Sequence, residues 1–143
     1  GGMCRANPRG REMGIARKIQ LPPEGRGHPL YFGKPSVFDA FISHVDEVTH
    51  WPSTAVLLAT NQFTHVQAAA VTHEAGTFWG LQYHPEFDLH EMARLTWCRI
   101  DKMTKLGFFE DRDLEPADTI TFNFLFKTLG PVRTDVTNPP FPK

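Results

Sequence analysis

The sequence predicts an α/β domain, and three observations carry that expectation. Three apolar runs of strand length follow one another at 55–60 (AVLLAT), 66–71 (VQAAAV) and 78–83 (FWGLQY), each flanked by turn residues. The period then changes, and Leu89, Met92, Thr96, Ile100 and Met103 recur at steps of three and four, the apolar stripe of a helix. Upstream, a Pro/Gly-rich stretch over 22–36 separates a further strand-like segment at 13–21 from the three runs.

In chain order, 13–21 (MGIARKIQL) places Ile15, Arg17 and Ile19 on one side of a strand. Residues 22–36 read as loop. Phe38, Phe41 and Ile42 lead into the polar cluster Ser43-His44-Val45-Asp46-Glu47. The runs at 55–60, 66–71 and 78–83 leave no room for helices between them, so they form an antiparallel or mixed meander. A helix is expected over 88–106, with Asp88 as N-cap, Glu91 three residues on in a capping box, and Gly107 as the C′ stop. Cys98 lies within this helix and is expected to be a small apolar packing residue. Residues 116–129 suit a helix, with Pro116 in the first turn and Gly130-Pro131 at the end. Residues 132–143 read as a flexible tail, leaving 1–131 as the domain.

Composition narrows the function classes. The chain has 143 residues, 41% of them hydrophobic and 22% charged, with a net charge of −1, which suits one folded domain. The near-neutral charge argues against a nucleic-acid partner. No apolar stretch approaches the ~20 residues that span a membrane. Two cysteines, Cys4 and Cys98, are too few for a disulfide framework, so free thiols in the cytoplasm are the expectation. Residues 1–26 carry six basic side chains against Glu12 and Glu24, which reads as a solvated rim or, failing that, an anion or partner site.

The chemistry concentrates in Phe78-Trp79-Gly80-Leu81-Gln82-Tyr83-His84-Pro85-Glu86. An apolar run delivers His84 at a strand end, and Pro85, having no N–H to donate, stops the ladder. Glu86 is two residues on, a spacing that returns its side chain to the same side. A carboxylate that accepts the imidazole Nδ1–H fixes the tautomer and leaves Nε2 free as general base. The expected contact is about 2.6–3.2 Å. The same spacing also fits a strand-end His beside a solvated Glu. Metal chemistry is not expected. A zinc deaminase signature needs Cys-x-x-Cys downstream, and only Cys98 follows. His90 is six residues from His84 with Pro85 between, so no His-Glu-x-x-His helix forms.

Gly80-Leu81-Gln82-Tyr83-His84-Pro85-Glu86 resembles the Gly-x-Gln-[Phe/Tyr]-His-Pro-Glu motif of the class I glutamine amidotransferases, the glutaminase module of GMP synthase. Asn7-Pro8-Arg9-Gly10-Arg11-Glu12-Met13-Gly14 resembles the Asn-Pro-x-Gly-x-Glu-x-Gly stretch of GMP-synthase-like members. Ser43-His44-Val45-Asp46-Glu47-Val48 resembles their Ser-His-Gly-Asp-x-Val loop. The resemblance implies a doubly wound, flavodoxin-like α/β fold with a mostly parallel central sheet, incomplete at the N-terminus here. It implies a Cys–His–Glu triad that hydrolyses the glutamine side-chain amide to supply ammonia, with His84 as base and acid and Glu86 as its orienter. No cofactor is implied. Glutamine is the substrate, and a synthetase or other ammonia acceptor is the implied partner. Ser43, His44 and Val45 fall on the loop that borders the glutamine pocket through backbone groups. Val45 replaces the usual Gly, and a position requiring φ > 0 would strain it.

The nucleophile of the family sits on a Gly-x-Cys-x-Gly elbow between a strand and a helix. Cys4 does not fit, because only three residues precede it and Pro8 and Gly10 oppose a helix after it. The resemblance aligns Gly1-Gly2 with the end of the elbow helix, so the nucleophile is expected upstream of Gly1. Two other readings share these residues: a non-catalytic or regulatory α/β module, and a related Cys hydrolase acting on γ-glutamyl amides.

Overall fold

The computed structural model describes residues 2–108, so the readings for 116–129 and 132–143 lie outside the described residues. The chain divides into two compact units, Gly1–Asp88 and Leu89–Lys143. The first holds β1 (Met3–Ala6), β2 (Glu12–Gln20), α1 (Pro23–Arg26), a 3₁₀ turn (Pro29–Tyr31), β3 (Val37–His44), β4 (Asp46–His50), β5 (Ala55–Ala59), β6 (Ala68–His73) and β7 (Gly76–Leu81). The described part of the second holds α2 (Leu89–Cys98) and α3 (Ile100–Lys105).

Every ladder among the described residues is antiparallel: β1 with β4, β2 with β3, and the meander β5-β6-β7. The meander matches the expectation from closely spaced strands. Two bridges tie the ladders together. Gln20 exchanges both backbone hydrogen bonds with Thr60, at 2.7 and 3.0 Å, and Ile42 bridges Tyr83. The core gathers Ala16, Ile19, Leu21, Tyr31, Ile42, Leu58, Ala59, Ala68, Ala70 and Tyr83.

Four local readings are corrected. The side of β2 that holds Ile19 is not that of Ile15 and Arg17. Arg17 and Lys18 together oppose Asp39, a bulge with Lys18 at φ 51°, and the extra residue shifts the alternation so that Ile19 shares the buried side with Ala16. Asp39 holds the bulge by accepting from the Lys18 amide at 2.7 Å and facing Arg17 at 3.7 Å. The Pro/Gly-rich stretch is not wholly loop, because Pro23 and Pro29 each open a short helical turn. Gly25 there is indispensable: a Cβ on it would lie 2.0 Å from the Leu58 carbonyl oxygen. The helix expected over 88–106 is two, broken at Arg99 (φ −116°, ψ 13°). Cys98 ends α2 exposed, so it is not a packing residue. The inward positions of α2 are Met92, Ala93 and Thr96, and Cys98 falls off that face, as does exposed Leu89.

Gly107 ends α3 as expected. At φ 79° its amide reaches the Thr104 carbonyl at 2.9 Å, and the Phe108 amide reaches Met103 at 3.0 Å, a Schellman closure. The basic excess of residues 1–26 is used largely in local contacts. Arg5 pairs with Glu47 at 2.8 Å, Arg9 donates to the Gln62 carbonyl, and Arg26 donates to the Leu21 carbonyl at 3.0 Å. No helix of the described residues is long and apolar enough to cross a membrane.

Candidate active site

β7 ends at Leu81, and two residues later Tyr83 enters the core while His84 emerges. The His84 amide donates to the Phe41 carbonyl at 2.8 Å, which anchors the backbone to β3 just as the meander stops. Phe87 stacks on the imidazole, with centroids 4.2 Å apart and planes 9° from parallel. The ring is therefore held from behind by backbone and from one face by an aromatic.

Glu86 Oε1 lies 2.7 Å from His84 Nδ1, within the range expected from the spacing. Accepting this hydrogen bond lowers the Glu86 carboxyl below its ordinary value, and a bond from its own backbone adds to that. An ionised Glu86 can only accept, so Nδ1 carries the hydrogen, and in the neutral imidazole Nε2 is the nitrogen with the lone pair. No hydrogen bond among the described residues engages Nε2. The His84 side chain is 32% exposed and that of Glu86 60%, which leaves the pair reachable. A cleft of about 250 Å³ opens beside the ring, lined by Ile15, Lys34, Asp39, Phe41, His84 and Phe87 among others.

Ser43, His44 and Val45 do not form a loop. β3 runs through His44, β4 begins at Asp46, and Val45 is a single kink between them. Val45 is not among the residues with positive φ, so the side chain is unstrained there. Its carbonyl accepts from the Asn7 amide at 2.9 Å. Ser43 Oγ accepts from Arg11 Nη1 at 3.3 Å. The His44 ring turns away from solvent, with Nδ1 2.8 Å from the Asp46 carbonyl and Nε2 3.0 Å from Glu12 Oε2.

Sequence reasoning missed what surrounds Glu12. Its carboxylate is the centre of a buried cluster, receiving Asn61 Nδ2 at 2.6 Å, Thr64 Oγ1 at 3.1 Å and Gln67 Nε2 at 2.9 Å besides His44. One signal was available: Gln67 is the lone amide in an apolar run, and a buried amide needs a partner. Cys4 lies exposed in β1 opposite Val48, and no hydrogen bond joins its sulfur to His84 among the described residues. No group of three or more potential metal ligands occurs among the described residues.

The family profile for class-I glutamine amidotransferases matches residues 3–96. The chain belongs to this family. Among curated relatives it is 44% identical over 82 residues to a γ-glutamyl-L-1-hydroxyisopropylamide hydrolase of Pseudomonas sp., covering 57% of this chain and 28% of that protein. It is 32% identical over 81 residues to one subunit of a glutamine-hydrolysing GMP synthase of Methanococcus maripaludis, covering 57% of this chain and 42% of that one. A glutamine amidotransferase of Thermotoga maritima superposes with a TM-score of 0.64 at 18% identity, over 91% of this chain and 56% of that structure. This chain thus spans less than half the length of either curated relative. The fold is the α/β fold of glutamine amidotransferases, of which the described residues form a part; the mostly parallel sheet that the resemblance implied is not found among them, since every described ladder is antiparallel. The His-Pro-Glu motif at 80–86 and the Glu12 and His44 motifs all fall inside the matched stretch.

Proposed function

We propose that this chain supplies the His and Glu of a Cys–His–Glu triad that hydrolyses the side-chain amide of glutamine. The observation that carries the reading is the 2.7 Å contact between His84 and Glu86, with Nε2 left free at the end of a strand. Nε2 takes the proton of a thiol, and the thiolate attacks the amide carbon to give a tetrahedral adduct. The imidazolium then returns that proton to the departing nitrogen, ammonia leaves, and a thioester remains. Water, deprotonated by His84, cleaves the thioester to glutamate and the free thiol. Glu86 stays ionised throughout and stabilises the imidazolium. Ser43, His44 and Val45 border the pocket for the γ-glutamyl group.

The thiol is neither Cys4 nor Cys98. Cys4 is a ladder residue of β1 rather than an elbow, and Cys98 ends α2. The Methanococcus relative is one subunit of its synthase, which supports a separate synthetase as the ammonia acceptor. A second reading is favoured by the identity to the Pseudomonas hydrolase: the leaving group is a substituted amine rather than ammonia, and the cleft beside His84 has room for it.

The purified chain is expected to release no ammonia from glutamine, and Cys4→Ser to change nothing. Robust turnover abolished by Cys4→Ser would put the nucleophile at Cys4. A chimera joining this chain to the unmatched part of the Pseudomonas hydrolase supplies the positive test. It should hydrolyse glutamine or γ-glutamyl-L-1-hydroxyisopropylamide, and whichever it prefers decides between the two readings. Hydrolysis that survives His84→Asn would refute both.

A further inference from the structure

We propose that Glu12 is a positioning residue for the γ-glutamyl pocket: as a carboxylate it forms a buried ion pair with a doubly protonated His44, and this pair fixes the Ser43–Val45 segment. The inference rests on the pocket assignment of Ser43, His44 and Val45 made above.

The hydrogen bonds of the cluster assign its protons. The Asp46 carbonyl can only accept, so His44 Nδ1, 2.8 Å away, carries a hydrogen. The 3.0 Å contact of Nε2 with Glu12 then has two solutions: His44 donates to a carboxylate, or a neutral Glu12 donates to His44. The other partners of Glu12 decide. Asn61 Oδ1 accepts from the amides of Phe63 and Thr64, at 3.0 and 2.7 Å, so its NH₂ faces Glu12 Oε1 and donates. Thr64 Oγ1 accepts from Asn7 Nδ2 at 3.3 Å, which directs its own hydrogen to Glu12 Oε2. Gln67 donates to the same oxygen. Besides His44, three donors therefore converge on this carboxyl group, two of them, Thr64 and Gln67, on Oε2, the oxygen that faces Nε2. An ionised carboxylate offers about four acceptor sites, and a neutral one loses a site to its own hydrogen. The net lowering of the Glu12 carboxyl agrees. Burial raises it, and the bonds from His44, Asn61 and Thr64 outweigh that.

The other charged groups nearby have places of their own. β2 contributes Glu12, and Arg11, just before it, turns to Ser43. β4 contributes Asp46, which is exposed, and Glu47, which pairs with Arg5. β3 contributes His44. The segment between β5 and β6 contributes the uncharged Asn61, Thr64 and Gln67, while its His65 faces Trp51. The Glu12 and His44 side chains are 8% and 9% exposed, so each charge depends on the other for compensation. Because His44 is bonded at both nitrogens across β2 and the β4 backbone, the pair clamps the kink at Val45 from both sides. It leaves the ring no donor for substrate, so His44 serves the pocket through its backbone.

The test is ¹⁵N NMR of the imidazoles in the labelled chain at neutral pH, with His44 assigned by His44→Gln. Both ring nitrogens of His44 should be protonated, and the amides of 43–45 protected. Glu12→Gln keeps the size and removes the charge. It should strip the proton from Nε2 and speed amide exchange over 43–45 at least about tenfold. Thr64→Val loosens the same cluster and leaves the carboxylate, so it should retain the Nε2 proton, which a merely structural role would not distinguish. A bare Nε2 in the unmodified chain, or a Glu12→Gln variant with an unchanged signature, overturns the proposal. If Glu12→Gln does not fold, acid titration decides. Protection of 43–45 should fall together with protonation of the Glu12 carboxyl, and protection that outlasts it overturns the proposal. His84→Asn should leave the His44 signature intact, so failure of the triad reading and failure of this one are separately visible.

Discussion

Replacing Tyr83 by Phe removes one oxygen from the residue that precedes His84. The Tyr83 hydroxyl donates to the Tyr31 hydroxyl at 2.9 Å, and the two residues are 5% and 3% exposed. Burial raises both phenols above their ordinary value, so neither ionises at neutral pH and the bond is neutral. Phe keeps the ring and its edge-on contact with Phe38 at 5.6 Å, so the change isolates the hydroxyl. The loss has two parts. The bond itself is worth about 0.5–1.5 kcal/mol, and stranding the Tyr31 oxygen without water adds about 1 kcal/mol, giving about 2 kcal/mol. Urea unfolding of the chain reads this as a fall of about 1.5 M in midpoint at unchanged slope. Tyr31→Phe should cost about the same. The double variant should be about 1–2 kcal/mol more stable than the sum of the singles, because each single already forfeits the shared bond. Strict additivity of the three variants, or a Tyr83→Phe change under about 0.3 kcal/mol, would refute the reasoning, since hydroxyls that interact in a dry site must couple.

Gly25→Ala places a methyl 2.0 Å from the Leu58 carbonyl oxygen, a backbone atom that cannot rotate away, so a loss of about 3 kcal/mol or failure to fold is expected by the same unfolding assay. The Glu12 carboxyl is lowered below its ordinary value near 4.5, so its stabilisation is present above that value and is lost as pH falls through the lowered one. Stability of the chain should therefore fall more steeply below about pH 4.5 than that of Glu12→Gln, as followed by circular dichroism, and parallel curves would contradict the sign. In the chimera, Glu86→Gln should lower kcat by about 10²–10⁴-fold with KM little changed, because the carboxylate holds the tautomer and the imidazolium rather than the substrate.

Much of the fold was legible because its signals are local. The three apolar runs at 55–60, 66–71 and 78–83 overlap the β5-β6-β7 meander, with β6 displaced two residues later and β7 two residues earlier than its run, since strand length and turn residues are properties of contiguous sequence. The His84–Glu86 contact was legible because it is also local, although a turn at Pro85 and Glu86, not strand alternation, brings the two side chains together. Gly107 stopped its helix because the positive φ that closure needs is cheapest for Gly.

What the sequence could not determine is whatever depends on partners distant along the chain. The bulge at Arg17 and Lys18 exists because Asp39, some twenty residues away, accepts from the Lys18 amide, and no pattern within β2 encodes that. Glu12 could be matched to a motif, yet its role comes from His44, Asn61, Thr64 and Gln67, which only tertiary packing brings to one carboxylate. Ser43 to Val45 read as loop through the family resemblance, whereas two strands claim the segment because Glu12 and Met13 pair with its first residues and Asn7 holds its last. Periodicity reports which side of an element is apolar. It carries no information about which polar group waits on the far side of the core, and that pairing, made across 32 residues to His44 and 55 to Gln67, is what the three-dimensional structure decides.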